Sequence, residues 1–470
     1  MEKIRQTLRD SATARWAALF IVSFTMLCGY FLTDAMAPLK GLLEGQLSWN
    51  STEYGFFTSA YGWFNVFLFM LIFGGIILDK MGVRFTGLGA AIIMVLGTLI
   101  KYWAVSTHTL DGQTWNILWF EVKAQVFMAG LGYAIFGVGV EVAGITVSKI
   151  IVKWFKGKEL ALAMGLEMAM ARIGTGLAIA TSVPIARSFG NVSVSKPILV
   201  ALIMLCIGLI SFIIYTFMDK KLDASQAAYD LENDVVDEEE SFQIKDIFAI
   251  ITNRGWWYIA ILCVLFYSSV FPFLKYATDL MVNKFGVEES LAGFIPAVLP
   301  FGTILLTPIF GSIYDRKGKG ASIMIIGAIL LIFVHSMFSI PFLNHWIIAM
   351  VLVVILGIGF SLVPSAMWPS VPKIIPEKRL GTAFALIFWV QNWGLMGVPA
   401  LIGWVLDKYC VTGQKVVEGV TVPTYDYTLP MLIFTSFGVL ALIFGFLLKA
   451  EDKKKGYGLQ LPNIEAKIEA

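Results

Sequence analysis

Twelve apolar stretches of membrane-crossing length, divided by short polar breaks, constrain this chain more than any other feature. A hydrocarbon core of ~30 Å takes roughly 20 residues of helix, because every backbone donor and acceptor must be satisfied inside lipid. The stretches fall at 16–38, 54–78, 85–105, 124–152, 160–185 and 197–218, then at 256–280, 291–314, 321–342, 346–370, 381–405 and 429–448. Hydrophobic side chains make up 58% of the residues and charged ones 14%, so composition argues against a water-soluble fold. The first stretch is too long for the apolar core of a signal peptide and is followed by more spans, so it reads as a retained helix. The expected fold is an all-α membrane protein with twelve transmembrane helices in two pseudo-symmetric six-helix bundles.

The longest polar break sets the division. Residues 219–255, with an acidic core at 230–240, are expected to form a solvated linker between a bundle at 1–218 and a bundle at 256–449, with a polar tail at 450–470. Lys and Arg crowd alternate connections, including Lys80, Arg84, Lys153, Lys156, Lys158, Lys220, Arg316, Lys317, Lys373 and Lys378. Cytoplasmic loops are enriched in these residues, which places both termini and the linker in the cytoplasm. The formal charge of +2 implies no nucleic-acid partner. Four cysteines, Cys28, Cys206, Cys263 and Cys410, lie far apart, with neither metal-site nor disulfide spacing. No metal or cofactor is expected. The partners expected are a small solute and the lipid bilayer, with the chain working as a monomer.

The two halves repeat each other. Gly75-Ile76-Ile77-Leu78-Asp79-Lys80-Met81-Gly82-Val83-Arg84 recurs as Gly311-Ser312-Ile313-Tyr314-Asp315-Arg316-Lys317-Gly318, each copy joining the second and third helix of its half. Glycine lets helices approach, and an aspartate at a helix C-terminus opposes the macrodipole and wants a cation. Asp79, Lys80, Arg84, Asp315 and Arg316 are therefore candidate gating residues, holding the cytoplasmic side shut until the halves rock.

A second register lays Ile135-Phe136-Gly137-Val138-Gly139 over Ile355-Leu356-Gly357-Ile358-Gly359, and Gly174 over Gly394. Two charges break this mirrored frame: Glu141 stands over Ser361, and Arg172 over Asn392. Helices four and five form a hairpin about Gly157, and both charges lie at nearly equal distance from that turn, close to the bilayer midplane. A charge there costs ~2.5–3.5 kcal/mol on insertion scales, so it should face a partner or a watery cavity. A substrate cavity between the repeats and a purely structural ion pair both satisfy that demand.

Other intramembrane charges meet the same test. Lys149 and Glu167 are depth-matched across the hairpin and are expected to bridge. Asp34 and Lys275 lie in corresponding outer parts of the two halves, as an outer gate or as snorkelling side chains. His335 and His345 belong to a peripheral helix and make poor proton carriers. Tyr30, Tyr61, Trp368, Trp389 and Trp393 supply aromatic surface that anchors at interfaces by default. Trp368 stands apart, because it precedes Pro369 in a stretch with Pro364 and Pro372 that cannot keep every helical hydrogen bond.

The repeated glycine and aspartate loop resembles the signature of the major facilitator superfamily. Two further stretches resemble the branch that contains the lysosomal dipeptide transporter of animals, in a bacterial-type member. One is Trp154-Phe155-Lys156-Gly157-Lys158-Glu159-Leu160 with Met170-Ala171-Arg172-Ile173-Gly174. The other is Ser361-Leu362-Val363-Pro364-Ser365-Ala366-Met367-Trp368-Pro369 with Gly381-Thr382-Ala383 and Gln391-Asn392. The resemblance implies facilitated diffusion of dipeptides, with Glu141, Arg172 and Trp368 at the substrate; Gln391, Asn392, Tyr30 and Tyr61 are further candidates for substrate binding. A zwitterion offers an ammonium to Glu141 and a carboxylate to the Arg172 fork. The first helix departs from the branch, reading Asp34-Ala35-Met36-Ala37-Pro38 where the pattern has Asp-Asn-Pro. The N-terminal tail carries no acidic dileucine signal, so a plasma membrane of bacterial type is expected.

The leading expectation is a carrier of dipeptides or similar zwitterions working by alternating access. An organic-anion antiporter or symporter, with Arg172 holding a carboxylate, stays open beside it. A membrane enzyme has no support from a P-loop, an HExxH helix or a nucleophile elbow.

Overall fold

A computed structural model describes residues 8–117, 120–155, 158–188, 190–233, 244–376 and 379–463. Lys156, Gly157, Lys378 and residues 234–240 of the acidic run lie outside the described residues. The first half runs through α1 (Ala12–Asp34), a 3-10 turn (Ala37–Leu39), α2 (Lys40–Leu47), α3 (Ser51–Ser59), a second 3-10 turn (Ala60–Gly62), α4 (Trp63–Phe67) and α5 (Met70–Ser106). It continues with β1 (Thr114–Ile117), β2 (Phe120–Lys123), α6 (Ala124–Phe155), α7 (Leu160–Arg187) and α8 (Ser195–Asn233). After α9 (Ile244–Ile251), the second half comprises α10 (Arg254–Phe285), α11 (Glu289–Ala292), α12 (Phe294–Lys317), α13 (Gly320–Ser339) and α14 (Trp346–Ile374). It ends with α15 (Leu380–Tyr409), β3 (Val411–Val417), β4 (Val420–Tyr425) and α16 (Thr428–Lys455). We call the side that carries both ends of the chain the basic face, and the opposite side the far face.

Eleven of the described helices are long and apolar enough to cross a membrane. The second crossing is not among them because it is made of pieces: α3, a 3-10 turn, α4 and the first part of α5. The break falls at Phe69, whose φ is 54°. The last piece then joins the third crossing through Gly82, where φ 76° and ψ 174° turn the backbone back on itself. Only glycine takes that conformation without strain, so the second glycine of the signature is a reversal and not a packing residue.

Asparagine and serine caps set several ends. Asn50 and Glu53 form a capping box at α3, Asn253 caps α10, and Ser11 caps α1. Inside lipid little drives helices together except close packing, and small residues permit it. At Gly97 an added Cβ would lie 2.4 Å from the Phe136 nitrogen, and at Gly132 one would lie 2.5 Å from that of Lys101, which locks α5 against α6. Phe20, Ile210, Leu305 and Phe446 point outward from the bundle, as lipid-facing side chains do.

Three features depart from the expected layout. The boundary placed at 218/219 falls inside α8, which continues to Asn233 because Asp219 is buried and holds Arg84 and Lys153 at 3.2 and 2.9 Å. Two antiparallel hairpins, β1–β2 and β3–β4, occupy loops of the far face. The tail packs back on the second half: Lys319 and Gly320 amides donate to the carbonyls of Gln460 and Leu459 at 2.9 and 2.8 Å.

Candidate substrate site and gates

Between the halves lies a cavity of about 70 Å³. Tyr30, Thr33 and Asp34 from α1, Tyr61, Tyr133 and Glu141 line it from the first half; Phe271, Lys275 and Gln391 line it from the second. Glu141 and Arg172 stand near the middle of α6 and α7, yet they do not bond to each other. The Tyr61 hydroxyl donates to Glu141 Oε1 at 2.6 Å. Arg172 lies over two aromatic faces of the opposite half, 5.0 Å from the Phe360 ring and 5.5 Å from the Phe271 ring. Phe271 is itself a wall of the cavity. Glu141 thus has unused acceptor capacity and Arg172 an undocked fork, both carried by the first half beside the seam.

The structure distributes the remaining candidates unevenly. Tyr30, Tyr61 and Gln391 reach the cavity, and Gln391 accepts from the Cys263 thiol at 3.5 Å. Trp368 does not line it. Its indole donates to the Tyr267 hydroxyl at 3.3 Å and packs on Phe388, within an aromatic block that continues through Tyr267 to Phe271. Asn392 is fully buried, donates within its own helix to the Phe388 carbonyl, and leaves its Oδ1 without a described partner. It is not among the residues lining the cavity, and its main-chain carbonyl packs against Gly62 of the other half.

The described ion pairs that join the halves, and most of the hydrogen bonds that do, lie on the far face. Lys275 donates to Asp34 at 2.6 Å and to the Thr33 carbonyl at 2.6 Å. Lys40 binds Asp279 at 3.1 Å, and Arg187 binds Glu289 at 2.6 Å and Glu418 at 3.3 Å. Asp407 of α15 accepts from the first amides of α3, Ser51 at 3.0 Å and Thr52 at 2.6 Å, where a helix N-terminus favours an anion. The β3–β4 hairpin straps across as well, its Tyr425 hydroxyl donating to Glu44 at 2.9 Å. Burial and that carboxylate push the Tyr425 phenol above its usual pKa. Gly403 of α15 has no room for a side chain, since a Cβ there would meet the Ser51 carbonyl at 2.2 Å.

On the basic face the signature loops bind within their own halves. Asp79 receives Lys149 at 3.1 Å, so the expected bridge from Lys149 to Glu167 is not made: α5 packs directly on α6 and offers the nearer carboxylate. Arg84 binds Asp219 and Asp223, and Asp315 accepts from the Asn463 side chain at 2.8 Å. Lys80 and Arg316 are exposed. A Cβ at Gly75 or Gly311 would meet nothing within 4 Å, so the signature glycines do not draw helices together in this state. The far face is latched, whereas the signature loops of the basic face make no described bond to the opposite half; deeper in, Phe69 stacks on Trp389 at 5.4 Å and the Trp389 indole donates to the Val66 carbonyl at 3.1 Å.

Lys101 went unremarked in the sequence. It sits in the outer part of the third apolar stretch, where snorkelling is the ordinary reading, yet it is 1% exposed.

Two six-crossing halves about a shared central cavity, latched on one face, define a membrane transporter. The chain belongs to the Major Facilitator Superfamily, whose family model matches residues 19–399 and 276–462. It is 27% identical over 401 residues to the lysosomal dipeptide transporter MFSD1 of Bos taurus, covering 84% of this chain and 80% of that one. The Homo sapiens protein of the same name is likewise 27% identical over 402 residues, with the same coverage. A bacterial homolog of the human lysosomal transporter Spinster, in an inward-facing and unoccupied conformation, superposes with a TM-score of 0.68 at 12% identity over 97% of this chain and 100% of that one. The nucleoside transporter NupG gives 0.66 at 14%, over 94% of this chain and 99% of that one. These relatives and structural neighbours are transporters, not enzymes.

Proposed function

We propose that this transporter carries small zwitterionic solutes, dipeptides foremost, by alternating access, with Glu141 taking the ammonium and Arg172 the carboxylate. The observation that carries the reading is that these two charges, both on the first half, are not paired with each other. A structural ion pair would have satisfied both, whereas here a half-buried acid faces the cavity and an arginine rests on rings of the opposite half. A zwitterion supplies both missing partners at once. The relatives named as dipeptide transporters point to the same solute class. Phe271, the cavity wall backed by Tyr267 and Trp368, supports side chains of the solute from the second half.

The Asp34–Lys275 pair, the Asp407 cap of α3 and the signature loops act as gates. The basic face is the cytoplasmic one in this reading, the membrane is a plasma membrane of bacterial type, and a monomer suffices because one chain holds the whole site. A thermal-shift screen of purified protein against dipeptides, single amino acids, dicarboxylates, nucleosides and sugars tests the substrate class, since a ligand bound only to the folded state raises the melting temperature. Dipeptides should stabilise. Stabilisation by dicarboxylates alone would replace the reading with organic-anion exchange, which Arg172 and Lys275 could serve.

A further inference from the structure

Lys101 is a buried cation without a carboxylate. Its ammonium lies 4.1 Å from the Tyr133 ring and 5.0 Å from the Phe57 ring, and no described ion pair includes it. Tyr133 links it to the gate, for the hydroxyl of that same ring is 3.4 Å from Lys275 Nζ and donates to the Thr33 carbonyl at 2.6 Å. Lys101, Lys275, Thr33 and Tyr133 border one small void. The charges that face Lys101 from the surrounding elements are Lys275 on α10 and Asp34 on α1, beside the phenols of Tyr133 and Tyr54.

Which half each group belongs to decides what happens when the far face opens. Asp34 and Lys101 both ride on the first half; Lys275 rides on the second. Parting the halves pulls Lys275 from Asp34, and a partly buried carboxylate stripped of its cation is strongly disfavoured. Lys101 is the cation that stays behind.

We propose that Lys101 is the alternate partner of Asp34, a positioning residue that receives the carboxylate when the far face opens. In each state one cation lacks a carboxylate and the acid never does. With the far face latched, the spare cation is Lys101, held on two aromatic faces. With it open, the spare cation is Lys275, which gains water. The inference rests on alternating access but not on the identity of the solute.

The test uses the full-length chain with its four cysteines replaced by serine and Ala37→Cys added. Ala37 is buried where the turn after α1 meets α10. An impermeant maleimide applied to the far face in oriented vesicles labels the introduced thiol only when that face opens. Lys101→Met should cut the labelling rate and solute flux about tenfold, the usual size of a coupling between two sites. Asp34→Asn in the same chain should restore labelling, because no carboxylate is left to strand. Lys101→Arg should label like the parent. Unchanged labelling in Lys101→Met overturns the proposal, as does a loss that Asp34→Asn fails to restore. If Lys101→Met alone does not fold, Asp34→Asn serves as the background: there Lys101→Met must leave the labelling rate unchanged, and a further fall rejects the exchange. A parent chain that never labels overturns alternating access itself, and with it the exchange; a parent that labels while Lys101→Met matches it overturns the exchange alone.

Discussion

The separation of Glu141 from Arg172 sets what each substitution should do. Glu141→Gln keeps the Tyr61 hydrogen bond but removes the charge that an ammonium would meet. Its affinity for dipeptides should fall by about tenfold to a hundredfold, the range for a lost charged hydrogen bond, while folding is spared. Blocking the ligand's amino group should then weaken binding to the parent and scarcely affect Glu141→Gln. Arg172→Lys leaves a cation over Phe271 and Phe360 but loses the two-pronged grip, so sensitivity to carboxylate blocking should drop in the same way. Titrations of end-blocked dipeptides decide the matter, and an unchanged end preference in both variants rejects the pocket assignment. Both charges stood out in the sequence because they break a mirrored apolar frame. Their failure to pair did not, since depth along two helices says nothing of the direction in which a side chain points. The same gap misled the reading of Lys149, which matched Glu167 in depth and turned instead to Asp79. Lys101 was hidden for another reason: its burial is made by Phe57 and Tyr133, from elements distant in the chain.

At the scale of elements, lipid makes crossings legible because each must satisfy its own backbone, and that demand leaves a run of apolar residues. The far-face hairpins answer to no such demand, although Glu418-Gly419, both with positive φ between β-branched runs, is a turn signal that could have revealed β3–β4. The broken second crossing carries neither proline nor glycine at Phe69 and had no signal to read. Helix contacts yield a paired prediction. Gly403→Ala forces a methyl against the Ser51 carbonyl, and overpacking of this kind costs about 1–3 kcal/mol, so the latched state should weaken and far-face labelling of a thiol introduced at position 37 should rise. Gly311→Val meets open space in this state and should leave it intact. It should hinder closure of the basic face, lowering both flux and far-face labelling. Equal effects of the two substitutions would mean that neither glycine senses the state of the halves.

At the scale of the whole molecule, the asymmetry between a far face latched by ion pairs and a basic face without described ones between the halves implies motion of two halves as bodies. Within each half the contacts are continuous: Arg84, Lys153, Asp219 and Asp223 bind one end of the first, and the tail from Tyr457 to Asn463 binds the corresponding end of the second. Between halves the far-face bonds are mostly charged and buried, so parting them requires that each charge find water or another partner. Rigid rocking about a central cavity makes a specific demand: tying the far face must stop transport without abolishing binding from the basic face. Lys40 and Asp279 offer the place, since they belong to opposite halves and touch at 3.1 Å. In a chain freed of its native cysteines, Lys40→Cys and Asp279→Cys joined by a short bifunctional thiol reagent should block solute flux. The joined protein should still show a ligand-dependent rise in melting temperature, because alternating access leaves the basic face free to admit the solute. With a cleavable reagent, reduction should return flux to the level of the untied double variant. Flux that persists in fully joined protein would mean that the solute passes without the halves parting on the far face, and alternating access would have to be abandoned for this chain.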